Sequence, residues 1–173
     1  MSRGNLHSHP FAKPNIVTLH AGELIFGQGE KVVKTLLGSC IAVTVFHPDR
    51  KISGICHFAL PNAKHTNGDN SDPRYAEDCF TLFAQNAKKY HLPLSEFHTH
   101  IVGGGNMLDN RVNINIDDAD KDTIGERNAR AALTLAAQHA MNIVSVNVGE
   151  FGYRQLQFNT ATGQVDVEFT PNA

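Results

Sequence analysis

The sequence predicts an α+β fold, because strand-like runs occupy both ends of the chain and two helical segments lie between them. The strand-like runs are rich in β-branched residues, alternate between apolar and polar positions, and are separated by Gly and Pro. They cover residues 16–19, 23–26, 32–37, 41–46, 52–60, 96–102, 143–148, 153–158 and 165–169. The last two are joined by a Gly-containing loop, which is typical of a hairpin.

Two helices are predicted from their capping residues and their apolar spacing. Asp72 is placed as the N-cap of the first helix, with Pro73 at the first helical position. The second helix begins at the capping box Thr123-Ile-Gly-Glu126 and continues to about residue 141. The residues predicted to face the core are Tyr75, Cys79, Leu82, Phe83 and Tyr90 in the first helix and Ala129, Ala132, Leu133 and Ala136 in the second.

The 173 residues have the length and composition of one globular domain. We expect residues 1–14 to form a flexible N-terminal arm and residues 15–173 to form a single domain. The net charge of −2 lacks the basic excess that binds phosphate backbones, so nucleic acid is not an expected partner. No apolar run is long enough to span a membrane, and residues 1–10 lack the apolar stretch of a secretory signal. We therefore expect a cytoplasmic protein without membrane insertion.

The three cysteines are interpreted one by one, because a reducing compartment disfavours disulfides and no two of them have C-x-x-C spacing. Cys79 lies on the inner face of the first predicted helix and is assigned to the core. Cys56 precedes His57 in one strand, so its side chain points to the opposite face, and it is assigned to the core as well. Cys40 is considered next, together with the histidine predicted to lie near it.

Cys40 and His57 are predicted to meet across two antiparallel strands. The strands are separated by the turn sequence His47-Pro48-Asp49-Arg50. If Phe46 pairs with Lys51, Cys40 lies directly opposite His57, where thiol and imidazole are close enough to meet. A shift of one residue would put His57 on the other face of the sheet.

Such a pair has the chemistry of a cysteine hydrolase. A free thiol is mostly protonated near neutral pH, and an adjacent imidazole can accept its proton and return it to a leaving amine. Gly38 and Ser39 allow a close approach just before Cys40, where backbone N–H groups could bind an oxyanion. On spacing alone, a buried thiol beside a hydrogen-bonded core histidine is the alternative. Ser39 is a weaker nucleophile candidate, since it is one residue out of register with His57.

A set of short motifs occurs along about residues 16–170 in a fixed order. They are Gly22-Glu23, Thr35-Leu-Leu-Gly-Ser-Cys40-Ile-Ala-Val, His57-Phe-Ala-Leu-Pro61, Tyr75, Gly103-Gly-Gly-Asn-Met107, Ile124-Gly-Glu-Arg-Asn128 and Gly152-Tyr-Arg154. Each motif is weak by itself, but the ordered set resembles the CheD family of chemoreceptor glutamine deamidases.

The resemblance implies packed, mixed β-sheets flanked by helices, similar to the catalytic domain of cytotoxic necrotizing factor toxins. It also implies deamidation of glutamine to glutamate on the cytoplasmic helical region of methyl-accepting chemotaxis receptors, through a thioester and with release of ammonia. The family's nucleophile falls on Cys40 and its histidine on His57. Its third catalytic residue, a threonine, falls on Lys34 in an ungapped alignment, and the neighbouring Thr35 is the candidate in this chain.

No cofactor or metal ion is predicted. His98 and His100 share a face of a predicted strand, as two metal ligands would, at positions where the family is expected to have acidic and basic residues. A third ligand, such as His65 or an Asp within residues 109–122, would have to be supplied by folding, so solvated or hydrogen-bonded histidines are preferred. Residues 103–105 lack the Lys and Ser/Thr of a P-loop and are interpreted as a turn near the substrate or a simple chain reversal.

Two other kinds of function stay open. The same site could pass its thioester to an amine, as a transglutaminase does, or hydrolyse a glutamate methyl ester, as a methylesterase does. The chain could instead be a regulatory binding module of the chemotaxis pathway, with a CheC-type phosphatase as the partner that the resemblance implies. A Cys40 thiol whose pKa is at or above its usual value would favour the regulatory module.

Overall fold

The computed structural model describes residues 15–62, 70–107 and 122–173. Within these residues the α-helices are α1 (Ala76–Lys89) and α2 (Ile124–Gln138), and a 3₁₀-helix covers Leu94–Glu96. The strands are β1 (Ile16–Thr18), β2 (Leu24–Gly27), β3 (Val32–Leu37), β4 (Ile41–His47), β5 (Ile52–Phe58), β6 (His98–Gly103), β7 (Asn142–Val148), β8 (Gly152–Asn159) and β9 (Val165–Pro171). The predicted N-terminal arm, residues 1–14, lies outside the described residues.

The strands form two mixed sheets. The four-stranded sheet has the order β1-β3-β8-β9, and the five-stranded sheet has the order β2-β5-β4-β6-β7. The pairs β1–β3 and β6–β7 are parallel, and the other neighbouring strands are antiparallel. The prediction of an α+β fold with packed, mixed sheets and flanking helices is confirmed.

The two sheets pack face to face, and the helices cover the other face of the five-stranded sheet. Strand β4 is buried along its whole length, because its alternating side chains enter both layers. Ala42 and Phe46 join the core between the sheets, together with Val33, Leu37, Ile55, Val102, Leu156 and Phe158. Ile41, Val43 and Val45 join the core under the helices, together with Cys79, Phe80, Phe83, Ala132 and Ala136.

Helix α1 begins later than the predicted start at Asp72 and Pro73, which is therefore wrong. Its N-cap is Tyr75, whose side chain makes no capping hydrogen bond. The Asp72 carboxylate pairs instead with Arg74, with 2.6 Å between Nη2 and Oδ2. Residues 74 and 75 are held against the chain that follows β5, where the Arg74 carbonyl accepts two backbone N–H groups. Because of this long-range pairing, α1 begins only after residue 75, and β5 ends two residues earlier than predicted.

Helix α2 begins at the predicted capping box. Thr123 Oγ1 accepts from the Glu126 backbone N–H, and the Glu126 carboxylate accepts from the Thr123 N–H at 2.8 Å. The helix ends at Gln138, before the predicted residue 141. Of the helical residues predicted to face the core, Cys79, Phe83, Ala129, Ala132 and Ala136 are buried, Tyr75, Leu82 and Tyr90 are half-buried, and Leu133 is exposed. Neither α1 nor α2 has the length and apolar character that crossing a membrane requires.

Candidate active site

The β4–β5 hairpin brings Cys40 beside His57, but the predicted direct pairing of the two is wrong. Ala42 lies directly opposite His57, so the register differs by two residues. The pairing register differs from the predicted one because Lys51, in the loop, adopts a left-handed conformation with a φ of 49°. Its backbone N–H donates to the His47 carbonyl at 2.9 Å. A shift of two residues preserves the face, so Cys40 and His57 are diagonal neighbours on one side of the sheet.

Cys40 and His57 both face the space between the two sheets. Cys40 is half-buried and packs against the core between the sheets, whereas His57 is buried. Cys56, the neighbour of His57 in sequence, lies on the opposite face and is fully buried under the helices, as is Cys79. The prediction that Cys56 and Cys79 belong to the core is confirmed, and Cys40 is the least buried of the three thiols.

Thr35, on β3 of the four-stranded sheet, reaches across to His57. Alternation along β3 buries Thr35 toward the five-stranded sheet and exposes Lys34 on the other face. The Thr35 hydroxyl Oγ1 lies 2.8 Å from His57 Nδ1. The structure therefore places Thr35 against the histidine, and not Lys34, on which the family's threonine falls in the ungapped alignment.

The Thr35 hydroxyl determines which nitrogen of His57 carries the proton. Its single proton is donated to the Leu19 carbonyl at 2.7 Å. The hydroxyl oxygen must then accept from His57, so the neutral imidazole carries its proton on Nδ1 and has an unprotonated Nε2. Nε2 is buried and has no hydrogen-bond partner among the described residues, Cys40 Sγ included.

Burial keeps both reactive groups uncharged. Burial, followed by the charge of nearby His20, lowers the pKa of His57 from 6.5 to about 4. Burial also raises the pKa of the Cys40 thiol above its usual value. Near pH 7 the free protein therefore holds a thiol and a neutral imidazole, and not a thiolate–imidazolium pair.

The backbone around Cys40 is held in place by groups from two other segments. The N–H groups of Gly104 and Gly105 donate to the carbonyls of Cys40 and Gly38, at 2.8 and 2.9 Å. The side-chain nitrogen of Asn128, in α2, donates to the Ser39 carbonyl at 3.0 Å. Each carbonyl of residues 38–40 thus accepts a hydrogen bond from a donor outside the segment.

Glycines allow this close contact between backbones. A Cβ on Gly103, whose φ is +120°, would collide with the Cys40 carbonyl. A Cβ on Gly125, in the first turn of α2, would collide with the Gly104 backbone. The N-terminal end of α2, the triple glycine and the Cys40 segment are therefore packed directly on one another.

The sequence patterns do not identify Asn128 or Leu19 as residues of this site. The signal for Asn128 is its spacing, since Asn128, Ala132 and Ala136 follow one another at four-residue intervals on the buried stripe of α2. A fully buried amide on an otherwise apolar stripe indicates a specific partner. Leu19 contributes only its backbone carbonyl, for which the residue type carries no signal.

His98 and His100 lie on β6, and His98 pairs with Phe46 at the far end of β4 from Cys40. His100 Nδ1 lies 2.5 Å from the Ser145 hydroxyl oxygen. The residues that the structure describes contain no group of three or more side chains able to hold a metal ion. Of the residues from which a third ligand would have to come, His65 and residues 109–121 lie outside the described residues, and Asp122 forms an ion pair with Arg130.

Comparison with known proteins identifies a matching family and similar proteins. The CheD chemotactic sensory transduction family matches residues 59–169. A Dechloromonas aromatica protein named "Probable chemoreceptor glutamine deamidase CheD 3" is 32% identical over 157 residues, which cover 91% of this chain and 89% of that protein. A Pseudomonas syringae pv. tomato protein named "Probable chemoreceptor glutamine deamidase CheD" is 30% identical over 155 residues, which cover 90% of this chain and 89% of that protein.

The fold and the site define an α+β protein whose two sheets enclose a cysteine, a histidine and a threonine at one end of a hairpin. With matches over this much of its length, the chain belongs to the CheD family.

Proposed function

We propose that this protein is a chemoreceptor glutamine deamidase, that is, a protein-glutamine glutaminase. Cys40 is the nucleophile, His57 transfers the proton, and Thr35 positions His57. The observation that carries the proposal is the hydrogen-bonded series of Leu19 carbonyl, Thr35 hydroxyl and His57 Nδ1. These hydrogen bonds leave His57 Nε2 unprotonated, on the same face of the five-stranded sheet as Cys40. The names of the related proteins supply the substrate class.

In the first half of the reaction, Cys40 Sγ attacks the carbonyl carbon of a glutamine side chain while His57 Nε2 accepts the thiol proton. Because both groups are neutral in the free protein, the proton moves during the attack. We assign stabilisation of the oxyanion to the Cys40 backbone N–H, which donates to no acceptor among the described residues. The carbon–nitrogen bond then breaks, His57 returns the proton to the leaving nitrogen, and ammonia departs.

In the second half, water hydrolyses the thioester. His57 Nε2 accepts a proton from water as the water oxygen attacks the thioester carbonyl carbon. The carbon–sulfur bond breaks, the proton goes to Cys40 Sγ, and the product is a glutamate side chain. The protein returns to its starting state without a cofactor.

The substrate we propose is a glutamine in the cytoplasmic helical region of a methyl-accepting chemotaxis receptor. Its conversion to glutamate adds a negative charge to the receptor helix and creates a carboxylate that can be methylated, which biases the receptor's signalling equilibrium. The protein acts in the cytoplasm as a single deamidase domain over residues 15–173. Its fold is expected to be similar to the catalytic domain of cytotoxic necrotizing factor toxins.

Mass spectrometry of a chemoreceptor cytoplasmic fragment tests this proposal. The fragment is incubated with the protein in the presence and absence of a primary amine, and a methylated fragment is treated in parallel. We expect glutamine to become glutamate, with one ammonia released for each glutamine converted. Incorporation of the amine would identify a transglutaminase, and loss of methyl groups alone would identify a methylesterase. A fragment that is unchanged under every condition would contradict the enzyme proposal.

Two observations favour a second candidate function, a regulatory module that binds a CheC-type phosphatase. The pKa of the Cys40 thiol is raised, and Nε2 of His57 makes no hydrogen bond to it. We prefer the deamidase, because a general base can activate a neutral thiol during attack and a binding module has no need of a fixed His57 tautomer. Measuring the binding of a CheC-type phosphatase to the wild-type protein and to Cys40→Ala separates the two functions. If Cys40→Ala binds as the wild type does, and the wild-type protein releases no ammonia, the regulatory module is supported.

A further inference from the structure

We propose that Asn128 is a positioning residue that holds the strand ends bearing Cys40 and His57 at a fixed separation. This inference rests on the proposed function, because it assigns Asn128 to the geometry of the same reacting pair. Asn128 is in α2, and the mechanism above gives it no step. It touches neither the Cys40 thiol nor the His57 ring through any hydrogen bond of the described residues.

Asn128 lies at the point where the backbone pairing of β4 with β5 ends. The last paired residues of the ladder are Ile41 and Phe58. Just beyond them, the Asn128 side-chain nitrogen donates to the Ser39 carbonyl at 3.0 Å and to the Ala59 carbonyl at 2.9 Å. One amide group thus bridges the two strands where their own backbone pairing ends.

The two bridged carbonyls are close in sequence to the two members of the reacting pair. Ser39 immediately precedes Cys40, and Ala59 follows His57 by two residues. The Ser39 carbonyl belongs to the planar peptide group that also carries the Cys40 N–H, so fixing the carbonyl fixes the direction of that N–H. A donor on the carbonyl also polarises the peptide and strengthens the N–H as a donor. Asn128 therefore governs both the placement of the thiol and the group proposed to stabilise the oxyanion.

The burial of Asn128 supports a specific role for its amide. The residue is fully buried, and its side-chain oxygen accepts no hydrogen bond from the described residues. A buried polar atom without a partner destabilises the folded state. Ala132 and Ala136 fill the same stripe of α2, so packing alone does not require an amide at this position. The two donated hydrogen bonds account for it.

The first turn of α2 is also anchored to the Cys40 segment. Gly125 packs on the backbone of Gly104, and the N–H of Gly104 donates to the Cys40 carbonyl. The helix therefore reaches residues 38–40 by two routes, one through the triple glycine and one through Asn128. Only the Asn128 route also reaches the His57 strand.

A double-mutant cycle on the reactivity of Cys40 tests the proposal. The rate of alkylation of Cys40 by iodoacetamide at pH 7 is measured for the wild type, His57→Gln, Asn128→Ala and the double variant. Alkylation of the other cysteines is subtracted with the Cys40→Ala version of each protein. We expect His57→Gln to slow alkylation about tenfold or more, since the base is lost. In the Asn128→Ala background we expect His57→Gln to alter the alkylation rate by less than about twofold. The reason is that His57 can activate Cys40 only when the two side chains are held at a fixed separation.

Steady-state kinetics with a chemoreceptor fragment provide a second measurement. We expect Asn128→Ala to lower kcat by about 10²-fold through misplacement of the thiol and to change KM by no more than about twofold. Ala136→Gly is the matched control, because it destabilises the same buried stripe two turns away and should leave kcat unchanged. If Asn128→Ala does not fold, Asn128→Ser, which keeps one donor, takes its place in the cycle.

The outcomes separate this proposal from the proposed function. Equal effects of His57→Gln in both backgrounds would overturn the role of Asn128 and leave the Cys40–His57 pair intact. No effect of His57→Gln in the wild type would overturn the pair itself, and the role of Asn128 with it. Loss of coupling in the Asn128→Ala background, with coupling retained in an Ala136→Gly background, would establish the positioning role even if no receptor fragment is deamidated.

Discussion

Thr35 and His57 are joined by a 2.8 Å hydrogen bond that crosses from one sheet to the other. Thr35 belongs to β3 of the four-stranded sheet, and His57 belongs to β5 of the five-stranded sheet. The orientation of the imidazole therefore depends on how the two sheets pack, and not on the hairpin alone. The core between the sheets, which includes Val33, Leu37 and Ile55, is what sets the distance between Thr35 and His57.

Removal of the Thr35 hydroxyl should impair catalysis without changing the shape of the side chain. Thr35→Val deletes the acceptor for His57 Nδ1, so the imidazole is no longer held in the tautomer with a free Nε2. We expect kcat for ammonia release to fall by about 10²-fold or more, and Thr35→Ser to retain most of the activity. Lys34→Ala, on the exposed face of the same strand, is the control and should behave as the wild type. Full activity in Thr35→Val would exclude Thr35 from the site.

The acid limb of the pH–rate profile should lie well below the usual range of histidine. His57 acts as a base only when neutral, and burial lowers its pKa to about 4. As the pH falls from 7, kcat/KM should therefore stay nearly constant through 6.5 and decline only as the pH approaches 4. The measurement is kcat/KM for a glutamine-containing receptor peptide across this range. If kcat/KM instead falls to half of its maximum at a pH close to 6.5, then His57 is not desolvated as described, or it is not the base.

Gly103→Ala should displace the Cys40 segment. The new Cβ would collide with the Cys40 carbonyl, and the φ of +120° is also unfavourable for alanine. Gly29→Ala is the matched control, because Gly29 has a φ of +129° but nothing within 4 Å of an added Cβ. We expect both variants to lose some stability in thermal melts, whereas only Gly103→Ala should also lose most of its ammonia release. Equal activity of the two variants would mean that the packing of Gly103 on Cys40 is unimportant for catalysis.

The relation of Cys40 to His57 could be predicted from the sequence because it depends mainly on the parity of alternation. Any hairpin register that shifts by an even number of residues keeps both side chains on one face. The register itself could not be predicted, since it depends on the left-handed conformation of Lys51, a residue type for which that conformation is uncommon.

The contacts of Thr35, Asn128 and Asp72 depend on distant parts of the chain. Alternation along β3 indicates that Thr35 and Lys34 point in opposite directions, but it does not show which face meets the second sheet. Asn128 reaches two carbonyls that are 89 and 69 residues away in sequence. Asp72 is a good N-cap residue by type, yet its carboxylate is bound by Arg74 and the helix begins only after Tyr75.

Ammonia release by Cys40→Ala, compared with Cys56→Ala, tests the central claim most directly. Both changes remove a thiol, but Cys40 faces the space between the sheets beside His57, whereas Cys56 is buried under the helices. We predict no detectable ammonia from a chemoreceptor fragment with Cys40→Ala, and near wild-type kcat with Cys56→Ala if that variant is assayed below its melting temperature. Wild-type ammonia release by a folded Cys40→Ala protein would contradict the assignment of Cys40 as the nucleophile.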